Sequence, residues 1–444
     1  MFSDQYYNFE NYNSLSSLNS FNSFNSLSTL GSSEEIDDQV LIESRREEAL
    51  EGLLLHLDGD NIFYAMNCIL ESPWFDDLDM MEKLAHKVFE AARIRPMNVE
   101  LYLRLCKEWT ESVPEFERCI SKICLQMPRD NMFFAYKWIS SRPELMKKVL
   151  TSYVSDEAMI WFAPELEEHN PSGFERKLLG MSSRAADEPL IRAFINLINN
   201  EEEYVESYGQ NFTSNISIVS NIKANNYLGS FNNCNQSVND EIKDINTSCC
   251  NDYNLCSVNG LCGREIKNVN EIESVSESQN DVNDKWKLYK EQRELGINPS
   301  PAAIALRFDD LEWLQVLAAR DNIDVNQRID VSIFERCNVV NHRPTWIQFA
   351  AFFGSVKCFK FLLVNGANLK LFDEHPVSDG NFSNSCTNLL HFAIAGGDNE
   401  IIRICYNTFN NLDGCDDVAG HFKHYAIYDW IKMMTSCAEC DYSE

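Results

Sequence analysis

Phe349-Ala350-Ala351-Phe352-Phe353-Gly354-Ser355-Val356-Lys357-Cys358-Phe359-Lys360-Phe361-Leu362-Leu363-Val364-Asn365-Gly366 is the stretch on which the fold turns. It reads as two short apolar helices hinged at Gly354, the second ended by Gly366, because glycine tolerates the positive φ of a tight turn. The same grammar recurs in Ile304-Ala305-Leu306-Arg307-Phe308-Asp309-Asp310-Leu311 and in Phe392-Ala393-Ile394-Ala395-Gly396-Gly397-Asp398-Asn399. Ala305, Ala350 and Ala393 mark the copies, 45 and 43 residues apart. A degenerate fourth copy, Val418-Ala419-Gly420-His421-Phe422-Lys423-His424, puts Lys423 where the others carry the turn glycine. Self-similarity at such a spacing is the sign of a stacked repeat. Small residues at 305, 350, 351 and 393 let neighbouring helices approach, Gly397 supplies the third turn, and Thr345 is placed to cap the helix after it. The outer copies, being atypical, read as caps of a short stack of about four units.

This grammar resembles the ankyrin repeat. Thr345-Trp346-Ile347-Gln348-Phe349-Ala350-Ala351 and Leu390-His391-Phe392-Ala393 stand where ankyrin repeats carry Thr-Pro-Leu-His-x-Ala, although the spacing exceeds the usual ~33 residues. The excess falls in the loops 320–342 and 372–386. Together with Ser332-Ile333-Phe334-Glu335-Arg336-Cys337, Glu400-Ile401-Ile402-Arg403, Ile427-Tyr428-Asp429-Trp430-Ile431 and Ile94-Arg95-Pro96, these runs are similar to a large protist (trichomonad-type) family of ankyrin-repeat proteins with an N-terminal helical region. The resemblance implies interaction modules without a known catalytic activity, and a structural role for His391, bonding the backbone of a turn.

Upstream, residues 35–200 read as helix after helix. Met80, Met81, Leu84, Val88, Ala91 and Ala92 stripe one face of 79–94, and Val99, Tyr102, Leu103 and Cys106 stripe the next helix. Pro114 starts another helix, and Ser141-Arg142-Pro143-Glu144 has the spacing of a capping box. No run alternates as a strand does. Residues 1–34 are Ser/Asn-rich with single Phe and Leu, and 201–284 are Asn/Ser/Asp/Glu-rich. Neither can bury enough apolar surface to offset ordering, so a disordered tail and a disordered insert are expected. The expectation is all-α: a helical domain over 35–200, the insert, an ankyrin-repeat solenoid over 285–436 and an acidic tail over 437–444.

The 444 residues carry 38 Lys+Arg against 68 Asp+Glu, a formal charge of −30, which disfavours nucleic acid and anionic membrane surfaces as partners. No run of ~18 apolar residues and no basic-then-apolar leader occurs, so no membrane span or secretory signal is expected. The sixteen cysteines are then reduced thiols of the cytosol or nucleus, those at 68, 106, 119, 124, 358 and 405 lying in apolar helical patterns. Asp58-Gly59-Asp60-Asn61-Ile62-Phe63 begins like a calcium loop but has Ile62 at a ligand position and Phe63 where glycine must turn. Cys437 and Cys440 have metal spacing but need a second pair, for which Cys249, Cys250, Cys256 and Cys262 are irregularly placed candidates. No phosphate loop, nucleophile elbow or zinc-protease motif is present.

No catalytic residue, cofactor or metal ligand is therefore assigned. The expected function is a monomeric scaffold binding a protein partner. An adaptor subunit of an enzyme complex such as a ubiquitin ligase and a metal- or redox-responsive regulator are the alternatives. The candidate contact residues are Asn341, His342 and Arg343 at a loop tip, and Arg307, Phe308, Phe352 and Phe353 before the turns. The phenylalanines form an apolar patch, of which at least one packs between repeats.

Overall fold

The computed structural model describes residues 35–127, 129–152, 154–199, 286–321, 324–371, 386 and 388–440. The tail 1–34 and the insert 201–284 lie outside them. Among the described residues there are α-helices and short 3-10 turns, with one isolated β-bridge and no strand.

The N-terminal half runs α1 (Glu35–Leu55), α2 (Ile62–Leu70), α3 (Leu78–Ile94), α4 (Val99–Ser112), α5 (Pro114–Cys124), α6 (Met132–Ser140), α7 (Pro143–Thr151), α8 (Asp156–Trp161), α9 (Ala163–His169), α10 (Pro171–Ser182) and α11 (Pro189–Asn199). Many of these helices pack on the next in sequence and on the next but one: α1 on α3, α3 on α5, α2 on α4, α4 on α6, α6 on α8. Their apolar stripes meet in an aromatic core in which Phe75, Trp109 and Phe116 stack edge to face, with ring centroids 5.4–5.8 Å apart. Polar groups tie the turns to this core: Tyr102 Oη donates to the Leu54 carbonyl at 2.8 Å and Asn131 Nδ2 to that of Phe89 at 2.8 Å. The Asp58–Asn61 segment is the turn between α1 and α2, its carboxylate accepting from the backbone N–H groups of Asp60 and Asn61.

After α12 (Lys287–Leu295) come four helix pairs: α13 (Pro301–Arg307) with α14 (Leu311–Asp321), α15 (Trp346–Phe352) with α16 (Val356–Val364), α17 (Leu389–Gly396) with α18 (Asn399–Phe409), and α19 (Cys415–His421) with α20 (Tyr425–Cys440). The first helices pack in a row, α13 on α15 on α17 on α19, and the second helices make a parallel row, α14 on α16 on α18. The turn inside each pair is the same. Asp309, Gly354, Gly397 and Lys423, each four residues after Ala305, Ala350, Ala393 or Ala419, have φ of 53°, 64°, 79° and 55°. The next residue donates back to the alanine carbonyl at 2.9 Å in three of the pairs (Asp310 to Ala305, Ser355 to Ala350, His424 to Ala419), and Gly397 itself does so in the remaining one. The alanines are fully buried between rows.

Two expected boundaries move. α20 continues through Cys440, so the first part of the expected tail 437–444 is helix. And the helical half and the repeat half, expected as two units, belong to one compact unit.

Candidate functional site

The first helices α13 and α15 end in residues expected to meet a partner, and the structure puts several of the candidates elsewhere. Arg307 and its ion-pair partner Glu335 have fully buried side chains. Glu335 comes from the loop after α14, where its other oxygen accepts from Cys337 N at 3.0 Å, and the backbone N–H of Asn298 donates to the carboxylate at 3.1 Å. The guanidinium of Arg307 lies 4.0 Å over the Phe353 ring. Phe352 is buried as well, edge to face with Phe422 of the last pair at 6.0 Å. Arg307 and Phe352 therefore leave the set of exposed candidates, because each serves the packing of the stack. Phe308 and Phe353 are half-buried.

The loop 324–345 is a finger and not an open tip. Arg328 and Thr345 form the β-bridge, Ile329 N donates to the Pro344 carbonyl at 2.9 Å, and Asn341 holds Ser332 through Oδ1 and Nδ2 at 2.9 Å each. Ile333, Phe334 and Val340 are buried beneath it. Asn341 and His342 are accordingly half-buried in its returning arm. Arg343 has φ 58°, and its guanidinium is 3.7 Å from the exposed carboxylate of Asp330. Its side chain is 43 % exposed.

The repeat-structural positions act locally. Thr345 forms a full capping box with Gln348 at the start of α15. Gly366 turns the chain after α16 with φ 86°. His391 Nε2 lies 2.9 Å from the carbonyl of Asp413 in the next turn. Asp309 accepts from Cys358 N at 2.9 Å, fastening the first turn to the next pair.

What the sequence did not disclose is the seam between the halves. The partners run broadly antiparallel along it. Glu51 accepts from Tyr425 Oη at 2.5 Å, Arg93 Nη1 reaches His421 Nε2 at 3.2 Å, and Arg95 Nη1 donates to the Phe422 carbonyl at 3.1 Å. Met97 meets Arg307 and Arg336, and Asn338 donates to Asp130 at 3.3 Å. At the far end Tyr289 donates to the Ile160 carbonyl, and Arg293 forms a two-pronged pair with Glu165 at 2.8 Å while donating to the Trp161 carbonyl at 2.6 Å. One end of the seam is thus clamped by a largely buried arginine and the other is a row of mixed polar contacts.

Burial, with Arg93 beside it, pushes His421 down to about 4, and burial with Arg95 does the same to His424. Both imidazoles are neutral near pH 7. The signal in the sequence was a pair of arginines just ahead of a proline, Arg93-Ile94-Arg95-Pro96, and opposite charges inside the apolar run Ile333-Phe334-Glu335-Arg336-Cys337. Charges in such company are rarely buried without partners.

Among the described residues no group of three His, Cys, Asp or Glu side chains converges as a metal site. Cys249, Cys250, Cys256 and Cys262 lie outside them. Eight of the nine described thiols whose side chains are placed are buried, and burial pushes those of Cys337, Cys405 and Cys415 up to about 12. Thiols so placed are poor nucleophiles and poor redox sensors. No helix among the described residues is long and apolar enough to cross a membrane.

The chain matches no protein-family model, no curated protein and no solved structure.

Proposed function

We propose that the chain is a non-catalytic protein-binding scaffold whose last four helix pairs form an ankyrin-type stack. The observation that carries this reading is the fourfold turn: alanine, then a left-handed residue four positions on, at 309, 354, 397 and 423, between two parallel rows of helices. A stack built this way holds a rigid surface whose loops vary without disturbing the core, which suits recognition. The seam covers Arg307 and the end of α19 in cis, so recognition falls to the finger and its neighbours: Arg343 with Asp330, and the half-buried rings of Phe308 and Phe353. The formal charge of −30 favours a protein partner over nucleic acid.

The test is affinity capture from the source cells with the full chain and with an Arg343→Glu/Phe308→Ser variant, followed by quantitative mass spectrometry. Proteins retained by the unaltered chain should fall at least about tenfold, the loss expected from one anchoring contact, with the helical circular dichroism unchanged. An identical capture profile from a folded variant rejects the finger as the recognition surface.

A further inference from the structure

Arg336 lies at the middle of the seam, on the finger, with its side chain directed into the space between the halves. Its Nε and Nη1 are buried and, among the described residues, have no hydrogen-bond partner, and no carboxylate among those residues forms an ion pair with it. Its third nitrogen, Nη2, reaches only the thioether of Met97, at 3.5 Å, and the guanidinium lies 5.2 Å over the Phe133 ring. Arg307 points at the same sulfur, its Nη1 3.1 Å away, and its own Nε is likewise buried and unpartnered. Glu335 is committed to Arg307 and to two backbone N–H groups. Glu100, the other acid that acts on Arg336, does so only through its field.

A thioether is a weak acceptor, and two guanidinium forks converging on one is an arrangement that leaves donors unsatisfied. Arg336 is half-buried as a residue, but its Nε and Nη1 are out of solvent, and burying guanidinium N–H groups without a directional partner is costly, which is why such groups are found paired. An oxyanion is the group whose geometry suits such forks. Met97 is also the way in: it is unbranched, flexible and 38 % exposed, so it can swing out and leave an opening over both forks.

We propose that Arg336 and Arg307 form an oxyanion site, gated by Met97, that takes a phosphate group at the seam. The ligand places two or three oxygens against Arg336 Nη2, Arg307 Nη1 and the unpartnered nitrogens beside them, the planar forks matching a tetrahedral anion. Because the arginines belong to the repeat half and Met97 and Phe133 to the helical half, the bound anion bridges the two. The site stands independently of any protein partner at the finger.

Inorganic phosphate is titrated into the full chain against sodium chloride of matched ionic strength, with calorimetry and thermal unfolding as readouts. Phosphate should bind and raise the melting temperature above the chloride control, and Arg336→Met, which keeps the stem and removes the fork, should weaken binding at least about tenfold. Met97→Glu, which sets a carboxylate in place of the sulfur, should raise the melting temperature without phosphate and abolish the response to it. A phosphoserine peptide run in parallel separates the sources of the group. Peptide binding at least as tight as phosphate puts it on a partner, weaker binding makes the free anion the ligand, and either upholds the site. Equal responses to phosphate and chloride, or an undiminished response in Arg336→Met or Met97→Glu, overturn it.

Discussion

At Gly396 the inner row of helices closes to backbone contact. A Cβ there would stand 2.5 Å from the carbonyl oxygens of both Ala351 and Phe352, and backbone atoms at the end of α15 cannot step aside as a flexible side chain can. Gly396→Ala should therefore destabilise the fold by about 1–3 kcal/mol, the usual cost of overpacking. Gly180, on the open face of α10, has nothing within 4 Å of its would-be Cβ, and Gly180→Ala should stabilise by up to ~1 kcal/mol through helix propensity alone. Urea denaturation of the two variants checks the opposite signs, and equal effects would show that contact at 396 is not what holds the row. The turn glycines 354 and 397 were legible because a glycine after an apolar helix signals positive φ. The role of Gly396 was not, since it depends on what crosses it from 45 residues away.

At the scale of the element, α15 owes its start to Thr345 and Gln348. Thr345 Oγ1 accepts from Gln348 N at 3.3 Å while Gln348 Oε1 accepts from Thr345 N at 2.7 Å, and Thr345 also closes the finger through its bridge to Arg328. Losing the cap should cost about 1–2 kcal/mol. Thr345→Ala and Gln348→Ala together should cost less than the sum of the two, since each disables the same reciprocal pair. Additive losses in a double-mutant denaturation cycle would mean the two residues act separately. The sequence indicated this cap but also suggested one at Ser141-x-x-Glu144 that does not form. Pro143 takes the first helical position of α7, which makes Arg142 the cap and leaves Ser141 one residue early, bonding back to the Trp138 carbonyl at 2.9 Å. Helix faces, starts and most ends were readable because they are local. The finger was read as surplus loop because its order comes from pairing across the hairpin and from Phe334 packing on Tyr289, 5.0 Å between rings.

For the whole molecule, an apolar stripe tells that a face is covered and not by what, so the fusion of the two halves had no local sign beyond the charges set among apolar residues at 93–96 and 333–337. Its polar end contains two histidines that are neutral when folded. His421 accepts from Arg93 and also faces Asp130 and Lys423. His424 bonds the Ala395 carbonyl through Nε2 at 3.1 Å and faces Arg95 and His56. Both fold with values near 4, below the ordinary 6.5. The unfolded chain therefore binds more protons than the folded one between those limits. The stability these neutral rings confer is complete above about pH 6.5 and is lost as pH falls toward 4. Carboxylates that depend on lysines, such as Asp416 with Lys432, weaken only lower, as pH passes below their ordinary range. Denaturation midpoints followed from pH 7.5 to 4.5 should fall steadily. In a His421→Gln/His424→Gln variant, whose amides can still accept from Arg93 and donate to Ala395, the fall should be markedly shallower over that window. Hydrogen-exchange protection, taken relative to the intrinsic rate at each pH, should fall at α19 and the start of α20 before it falls at α12, which is tied to the helical half through Tyr289 and Arg293 and not through these imidazoles. If α12 loosens first, or the two curves coincide, the seam is not the acid-sensitive joint and the halves unfold as one block.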